Sequence, residues 1–124
     1  MLDTNIMIAL IDREISVRDR VAAADEVLIP SPVFGELYFG AFNSERIQDN
    51  LARVDDYVRW YPSIPITAET ARIYGAIRKD LQTKGKPIPE NDIWIAAAAK
   101  QTSTIVATRD DHFDAIDGIA VEKW

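Results

Sequence analysis

The chain has 124 residues, no cysteine and a formal net charge of −6. This length suits one domain over residues 1–124 with a core that needs no covalent staples, and the lack of cysteine excludes a disulfide framework, a thiolate nucleophile and a thiolate zinc site. The acidic balance argues against coating nucleic acid by bulk charge; with no charged start leading into a long apolar stretch, and no apolar run of spanning length, the expectation is a cytoplasmic protein with no membrane partner.

Asp3-Thr4-Asn5 reads as the end of a very short strand turning into a helix over Ile6 to Ile11, with polar capping residues at the join. Residues 12–25 are charged and alanine-rich, and predict a turn and a helix around Val17, Val21 and Ala24. Glu26 to Ile29 predicts a short buried strand closed by Pro30, after which Ser31 and Pro32 supply a helix start, serine as cap and proline in the first position. The helix from Val33 to Phe42 is apolar over most of its circumference, and Glu36 is its only carboxylate. Two readings of Glu36 stand: a buried charge that needs an arginine or a metal as partner, or a side chain reaching solvent from a narrow polar stripe.

Ser44 is expected to cap a long amphipathic helix that turns Ile47, Leu51, Val54, Val58 and Tyr61 inward and ends at Pro62. Ile64-Pro65-Ile66 allows at most a short edge strand, because proline cannot donate to a ladder. Thr67 opens the next helix, which runs to Lys84 with Ile73, Tyr74, Ile77 and Leu81 inward. Its other face and the following loop gather Arg72, Arg78, Lys79, Lys84 and Lys86, which form either a solvated helix end or a phosphate-contacting rim.

Gly85 to Pro89 forms a loop that delivers Glu90-Asn91-Asp92 to a run, Ile93 to Ala99, suited only to burial in a helix ending near Thr102. In the first turn of that helix Asp92 is favoured in its ionised form by the dipole and the free N–H groups. The plain alternative is that Asn91 or Asp92 caps a core helix. Ile105 to Thr108 predicts a second buried strand that finishes in Arg109-Asp110-Asp111-His112-Phe113, and Ile119 to Val121 a last short one. Strands separated by helical patterns argue for an α/β sandwich with a mostly parallel sheet.

In open parallel sheets ligands bind beyond the carboxyl ends of the strands, where the following helices begin. Asp3, Asp92 and Asp110 all fall at such ends or helix starts, and Glu36 adds a fourth oxygen donor. A set without histidine or cysteine suits a hard cation, Mg2+ or Mn2+, which can bind a phosphodiester, activate a water and stabilise the leaving oxygen. The reaction class implied is phosphoryl hydrolysis. His112, the only histidine, reads as a surface residue in a turn, because a metal-activated water needs no separate base.

Four stretches in chain order carry a resemblance: Leu2-Asp3-Thr4-Asn5, the helical Glu36 after a proline-bounded strand, Asp92-Ile93-Trp94-Ile95-Ala96-Ala97-Ala98, and Val106-Ala107-Thr108-Arg109-Asp110-Asp111-His112-Phe113. Together they resemble the PIN-domain family, and specifically the VapC-type toxins of toxin–antitoxin pairs. The resemblance implies a three-layer α/β/α sandwich with a short, mostly parallel central sheet. It further implies a Mg2+- or Mn2+-dependent endoribonuclease, homodimeric, that cuts transfer or ribosomal RNA and is held inactive by a VapB-like antitoxin. Carried over by position, Asp3 and Asp92 would hold the metal and Glu36 would complete or orient its shell. Asp110 would be the fourth acid, with Asp111 as the competing choice. Thr4 or Asn5, and Thr108, would orient these carboxylates through hydrogen bonds. The rival readings are a non-catalytic RNA- or protein-binding module of the same shape, a solitary RNA-processing nuclease, and a phosphatase, whose pattern needs an acid where Asn5 stands.

Overall fold

In the computed structural model, which describes residues 1–124, α-helices and short strands follow one another along the chain as the hydrophobic pattern predicts. Two parallel pairs form: β1 (Ile29–Pro30) with β2 (Ser63–Ile64), and β3 (Val106–Thr108) with β4 (Val121–Lys123). The N-terminal segment 1–3 joins the pairs into one surface. On one side the Leu2 N–H donates to the Leu28 carbonyl at 3.0 Å; on the other, Ala107 donates to Met1 at 2.8 Å and Asp3 donates to Ala107 at 3.0 Å. The spatial order is therefore β4, β3, segment 1–3, β1, β2, and segment 1–3 runs parallel to β3.

Side chains alternate between the faces of a strand, so a strand buried at every position is covered on both sides. Val106, Ala107 and Thr108 are 0, 4 and 0 % exposed, and Met1, Leu2 and Asp3 are 7, 2 and 3 %. Both faces of the central sheet are covered, which is the three-layer arrangement expected. The covering helices are α1 (Thr4–Ile11), α2 (Ile15–Ala23), α3 (Ser31–Phe42), α4 (Ile47–Trp60), α5 (Ala68–Lys84) and α6 (Glu90–Thr102). One continuous apolar cluster runs through them from Met1 to Ile116. No helix is long and apolar enough to cross a membrane.

The helix that most constrains the site is α6. Ile93 and every residue from Ile95 to Ala99 are buried, and the short alanine side chains let it lie against α5 and α3 at close range. The start of α5 is fixed by a reciprocal pair, in which Thr67 accepts from the Thr70 N–H and the Thr70 hydroxyl accepts from the Thr67 N–H. Its end is fixed by Gly85 at φ 66°, a left-handed stop that glycine adopts without strain.

Several boundaries differ from the sequence reading. Strand β1 begins at Ile29, three residues later than expected, although Leu28 still pairs with Leu2. Pro30 occupies the cap of α3, with Ser31 and Pro32 inside its first turn, where a missing N–H leaves no bond unmade. Ser44 does not cap α4: its hydroxyl donates back to the Ala41 carbonyl at 2.6 Å and accepts from Asn50 at 2.8 Å, and the helix starts at Ile47. Ile105 lies outside β3 and is half exposed, and the last strand runs over Val121–Lys123, beyond Ile119 and Ala120.

Candidate active site

Asp3 emerges from the centre of the sheet and caps α1, its Oδ1 accepting the Thr4 N–H at 2.7 Å. Its Oδ2 accepts the hydroxyl of Thr108, at the end of the neighbouring β3, at 2.6 Å. Thr108 is fully buried, and the same hydroxyl accepts the Asp110 N–H at 2.9 Å and lies 3.5 Å from Asn5 Nδ2. Asn5 in turn accepts the Arg109 N–H at 3.3 Å. One buried hydroxyl thus ties Asp3 to the start of the turn that carries Asp110. A carboxylate with two fixed donors has little freedom to rotate.

Asp92 is the third residue of α6, and the cap position is held by Pro89 without any side-chain bond. The capping alternative therefore fails for both candidates, and Asn91 instead donates to the Pro32 carbonyl at 3.3 Å. The Asp92 side chain is 13 % exposed and faces the turn beyond β3. There Asp110 caps a 3₁₀ turn, Asp111–Ala115, its Oδ1 accepting the His112 N–H at 3.0 Å. Capping leaves Oδ2 free to face inward, so the cap role and a place in the site are compatible. Asp111 points away, 89 % exposed and 3.1 Å from Lys123 Nζ, which separates it from Asp110.

His112 is the residue that the sequence reading set aside and the structure brings in. Its Nδ1 is 2.8 Å from Asp92 Oδ2 and 3.0 Å from Asp110 Oδ2. One donor atom from each of the three residues falls within 4.8 Å of the others. The available signal was its position two residues after Asp110, since a tight turn directs the ring back toward the strand end it has just left. Glu36 stands on the exposed face of α3 and accepts the Thr4 hydroxyl, so its partner is neither arginine nor deep burial. Its side chain reaches solvent, and its charge bears on Asp3 and Asp92.

The electrostatics follow from this packing. Burial pushes the Asp3 carboxyl up to about 6; the hydrogen bonds from Thr108 and Thr4 oppose the rise, and the charges of Asp92 and Glu36 add to it. Asp92 is also raised, first by burial, with the His112 hydrogen bond opposing and the charges of Asp110 and Glu36 contributing. His112 is held protonated to higher pH mainly by its bond to Asp92, against partial burial. Neither lysine nor arginine pairs with the carboxylates of Asp3, Glu36, Asp92 or Asp110; Lys123 reaches only the main-chain carbonyl of Asp110. The result is a negative cluster whose only cationic neighbour is His112, and whose donor chemistry, oxygens with one ring nitrogen, fits a divalent cation.

The basic patch on α5 is partly neutralised. Lys84 pairs with Asp80 at 2.8 Å and Asp117 at 2.6 Å, and Arg78 with Glu90 at 3.6 Å, while Arg72, Lys79 and Lys86 have no carboxylate partner.

Known proteins are similar to this chain in sequence and in fold. The PIN domain family matches residues 1–119. Ribonuclease VapC2 of Haemophilus influenzae is 32 % identical, over 100 % of this chain and 96 % of its own length, and the tRNA(fMet)-specific endonuclease VapC of Shigella flexneri shows the same identity and coverage. Among solved structures, VapBC2 from Rickettsia felis bound to a promoter DNA fragment matches with a TM-score of 0.93 at 28 % identity, covering 100 % of this chain and 97 % of that one. DNA-bound VapBC from Salmonella typhimurium matches with a TM-score of 0.94 at 31 % identity, covering 100 % and 96 %. By family match, by full-length relatives and by fold, the chain belongs to the PIN-domain family, among the VapC ribonucleases.

Proposed function

We propose that this protein is a single-domain endoribonuclease that hydrolyses RNA phosphodiester bonds with a divalent cation, Mg2+ or Mn2+, and that it is the toxin of a toxin–antitoxin pair. One observation carries the metal-dependent part: four carboxylates gather at the end of the central strands without a lysine or arginine, and the two most buried have raised proton affinities. Such a cluster is stable in ionised form when a cation shares its charge. Asp3 and Asp92 would hold that ion, Glu36 would orient its shell with the help of Thr4, and Asp110 would be the fourth acid.

When bound, the cation supplies an electrophilic contact for the phosphate and a water of lowered pKa. The protein's own contribution is position and proton handling. Asp3 cannot turn away from the site because Thr4 and Thr108 hold both of its oxygens. Asp92 is fixed through the buried body of α6. Glu36 and Asp110, the more exposed acids, are suited to take the proton of the water as its oxygen bonds to phosphorus and the bond to the departing strand breaks.

The substrate class proposed is transfer or ribosomal RNA, the first supported by the name of the Shigella flexneri relative. A VapB-like antitoxin is the proposed partner, as the similar solved structures are VapBC complexes. A cleft of about 580 Å³ between α1, α2 and α4 supports this, because it combines Leu10, Tyr57 and Trp60 with Arg13, Arg18 and Arg53, which outnumber its Asp19 and Asp56, and so suits a tail bearing apolar and charged groups. Phe39 and Phe42, 70 and 62 % exposed on α3, offer an apolar surface for the expected homodimer. The proposed location is the cytoplasm.

The test is incubation of antitoxin-free protein with total cellular RNA in Mg2+, in Mn2+ and in chelator, with the new ends mapped. Discrete cleavage that requires a cation is expected. Cleavage that persists in chelator, or intact RNA in both cations with folded protein, would overturn the proposal.

A further inference from the structure

We infer that His112 is a direct nitrogen ligand of the cation, alongside Asp92 and Asp110, and that this donor makes the site select manganese over magnesium. The inference rests on the metal-dependent reading above and adds a ligand that neither the sequence pattern nor the four-acid arrangement contains.

The geometry comes first. An octahedral cation with metal–donor distances of about 2.1 Å holds neighbouring donors about 3.0 Å apart, the edge of the octahedron. His112 Nδ1 lies 2.8 Å from Asp92 Oδ2 and 3.0 Å from Asp110 Oδ2. These separations serve a hydrogen bond when the ring carries a proton on Nδ1, and they equally serve two edges of a coordination shell when a cation replaces that proton. Little movement is needed to pass from one to the other. The backbone that carries the ring is also held, because Asp110 Oδ1 accepts the His112 main-chain N–H at 3.0 Å and Lys123 fixes the same turn through the Asp110 carbonyl at 2.5 Å.

The chemistry then sets the choice of ion. Magnesium is a hard cation that takes oxygen donors and gives up water reluctantly, whereas an imidazole nitrogen favours first-row transition ions. A shell built only from Asp3, Glu36, Asp92 and Asp110 would distinguish the two ions weakly. A ring nitrogen in that shell raises the affinity for manganese and leaves that for magnesium almost unchanged. If His112 acted only by hydrogen-bonding Asp92, its loss would weaken both ions alike, so the two roles predict different measurements.

The experiment uses the whole protein and Mn2+ itself as the probe. Binding is followed by the loss of the free-ion electron paramagnetic resonance signal, Mg2+ is measured by competition, and spin-echo modulation reads whether nitrogen is bonded to the ion. Wild-type protein is expected to show nitrogen modulation that changes when its histidine is labelled with 15N. His112→Ala, at a side chain 44 % exposed, should lose the modulation and bind Mn2+ at least about tenfold more weakly, with Mg2+ changed less than about twofold. His112→Gln should match the alanine variant, which separates ligation from shape. Bound Mn2+ without nitrogen modulation in the wild type, or equal weakening of both ions in the variants, would overturn the inference while leaving the metal-dependent reading intact. Failure of the wild type to bind Mn2+ at all would overturn both.

Discussion

Helices α6 and α4 are nearly equal in length, 13 and 14 residues, and carry opposite burdens. In α6 Ile93 and the whole run from Ile95 to Ala99 are at most 5 % exposed; in α4 only Val54 is buried, Ile47 and Val58 are 37 % exposed and Trp60 is 65 %. The helix with no amphipathic pattern is enclosed all round, and the helix with a clear apolar stripe leaves half of that stripe uncovered. The difference separates two jobs. The carboxylate proposed to hold the cation sits on the enclosed element, and the surface proposed for another chain sits on the element with apolar area to spare.

Four experiments can break or sharpen this contrast. The largest effect should come from Asp92→Asn on α6, expected to lower kcat/KM for RNA cleavage by about 10²–10³-fold, the range seen when one preorganised electrostatic group is lost. Asp56→Asn on α4 should leave cleavage unchanged, and equal losses in the two variants would erase the distinction.

The second concerns Asp3, beside which α6 delivers Asp92. Its carboxyl rises from 3.8 to about 6 on folding, so the native state holds that proton more tightly than the unfolded chain. The associated stability is present in full below pH 3.8 and is lost as pH rises through about 6. The change amounts to about 3 kcal/mol. In chelator, denaturant titrations from about pH 4 to 7.5 should therefore show wild type losing that much relative to Asp3→Asn. Divalent cation should restore it at neutral pH; a constant difference between the two proteins across the range would refute the linkage.

Third, Trp60→Ala on α4 should weaken the complex with the cognate antitoxin by about 2 kcal/mol, as exposed aromatic anchors do, with RNA cleavage by the free protein unaltered. Unchanged affinity in a direct binding assay would remove α4 from the partner surface. Smallest are the paired overpacking changes: Ala97→Leu, at a fully buried position of α6, should cost about 1–3 kcal/mol in stability. Ala52→Leu, on the exposed face of α4, should stay within about 0.5 kcal/mol. Similar melting points for these two variants would mean that α6 is looser than its burial indicates.

Much of this organisation was legible in the sequence because it rests on local chemistry. Thr67 with Thr70, Gly85, and the alanine run after Asp92 each specify their element through contacts within a few residues. The convergence of Asp3, Asp92 and Asp110 on one end of the sheet was also legible, since parallel strands put their carboxyl ends together. What was misread depends on choices between near-equal local options. Ser44 could cap the helix ahead or bond the one behind, and the Ala41 carbonyl captured its hydroxyl. His112 lies, as read, at the surface in a turn, but its contact with Asp92 was not legible, because it is set by the direction of a 3₁₀ turn, which hydrophobic periodicity does not encode. Glu36 reads as a charge stranded on an apolar helix until the Thr4 hydroxyl, 32 residues away in the chain, is seen to meet it.

The central place of segment 1–3 also dictates when the site can exist. The bond from Thr108 to Asp3 joins residues 105 apart in the chain, and the same edge of the segment pairs with Ala107. Pairing across such a separation carries a larger loop-closure cost than any local contact in the chain. During synthesis, a chain that has not yet released β3 has segment 1–3 paired with Leu28 on one side only, an Asp3 without its Thr108 donor, and no Asp110 turn. Segment 1–3 thus waits for β3, and the arrangement of Asp3, Thr108 and Asp110 exists only once the two have paired.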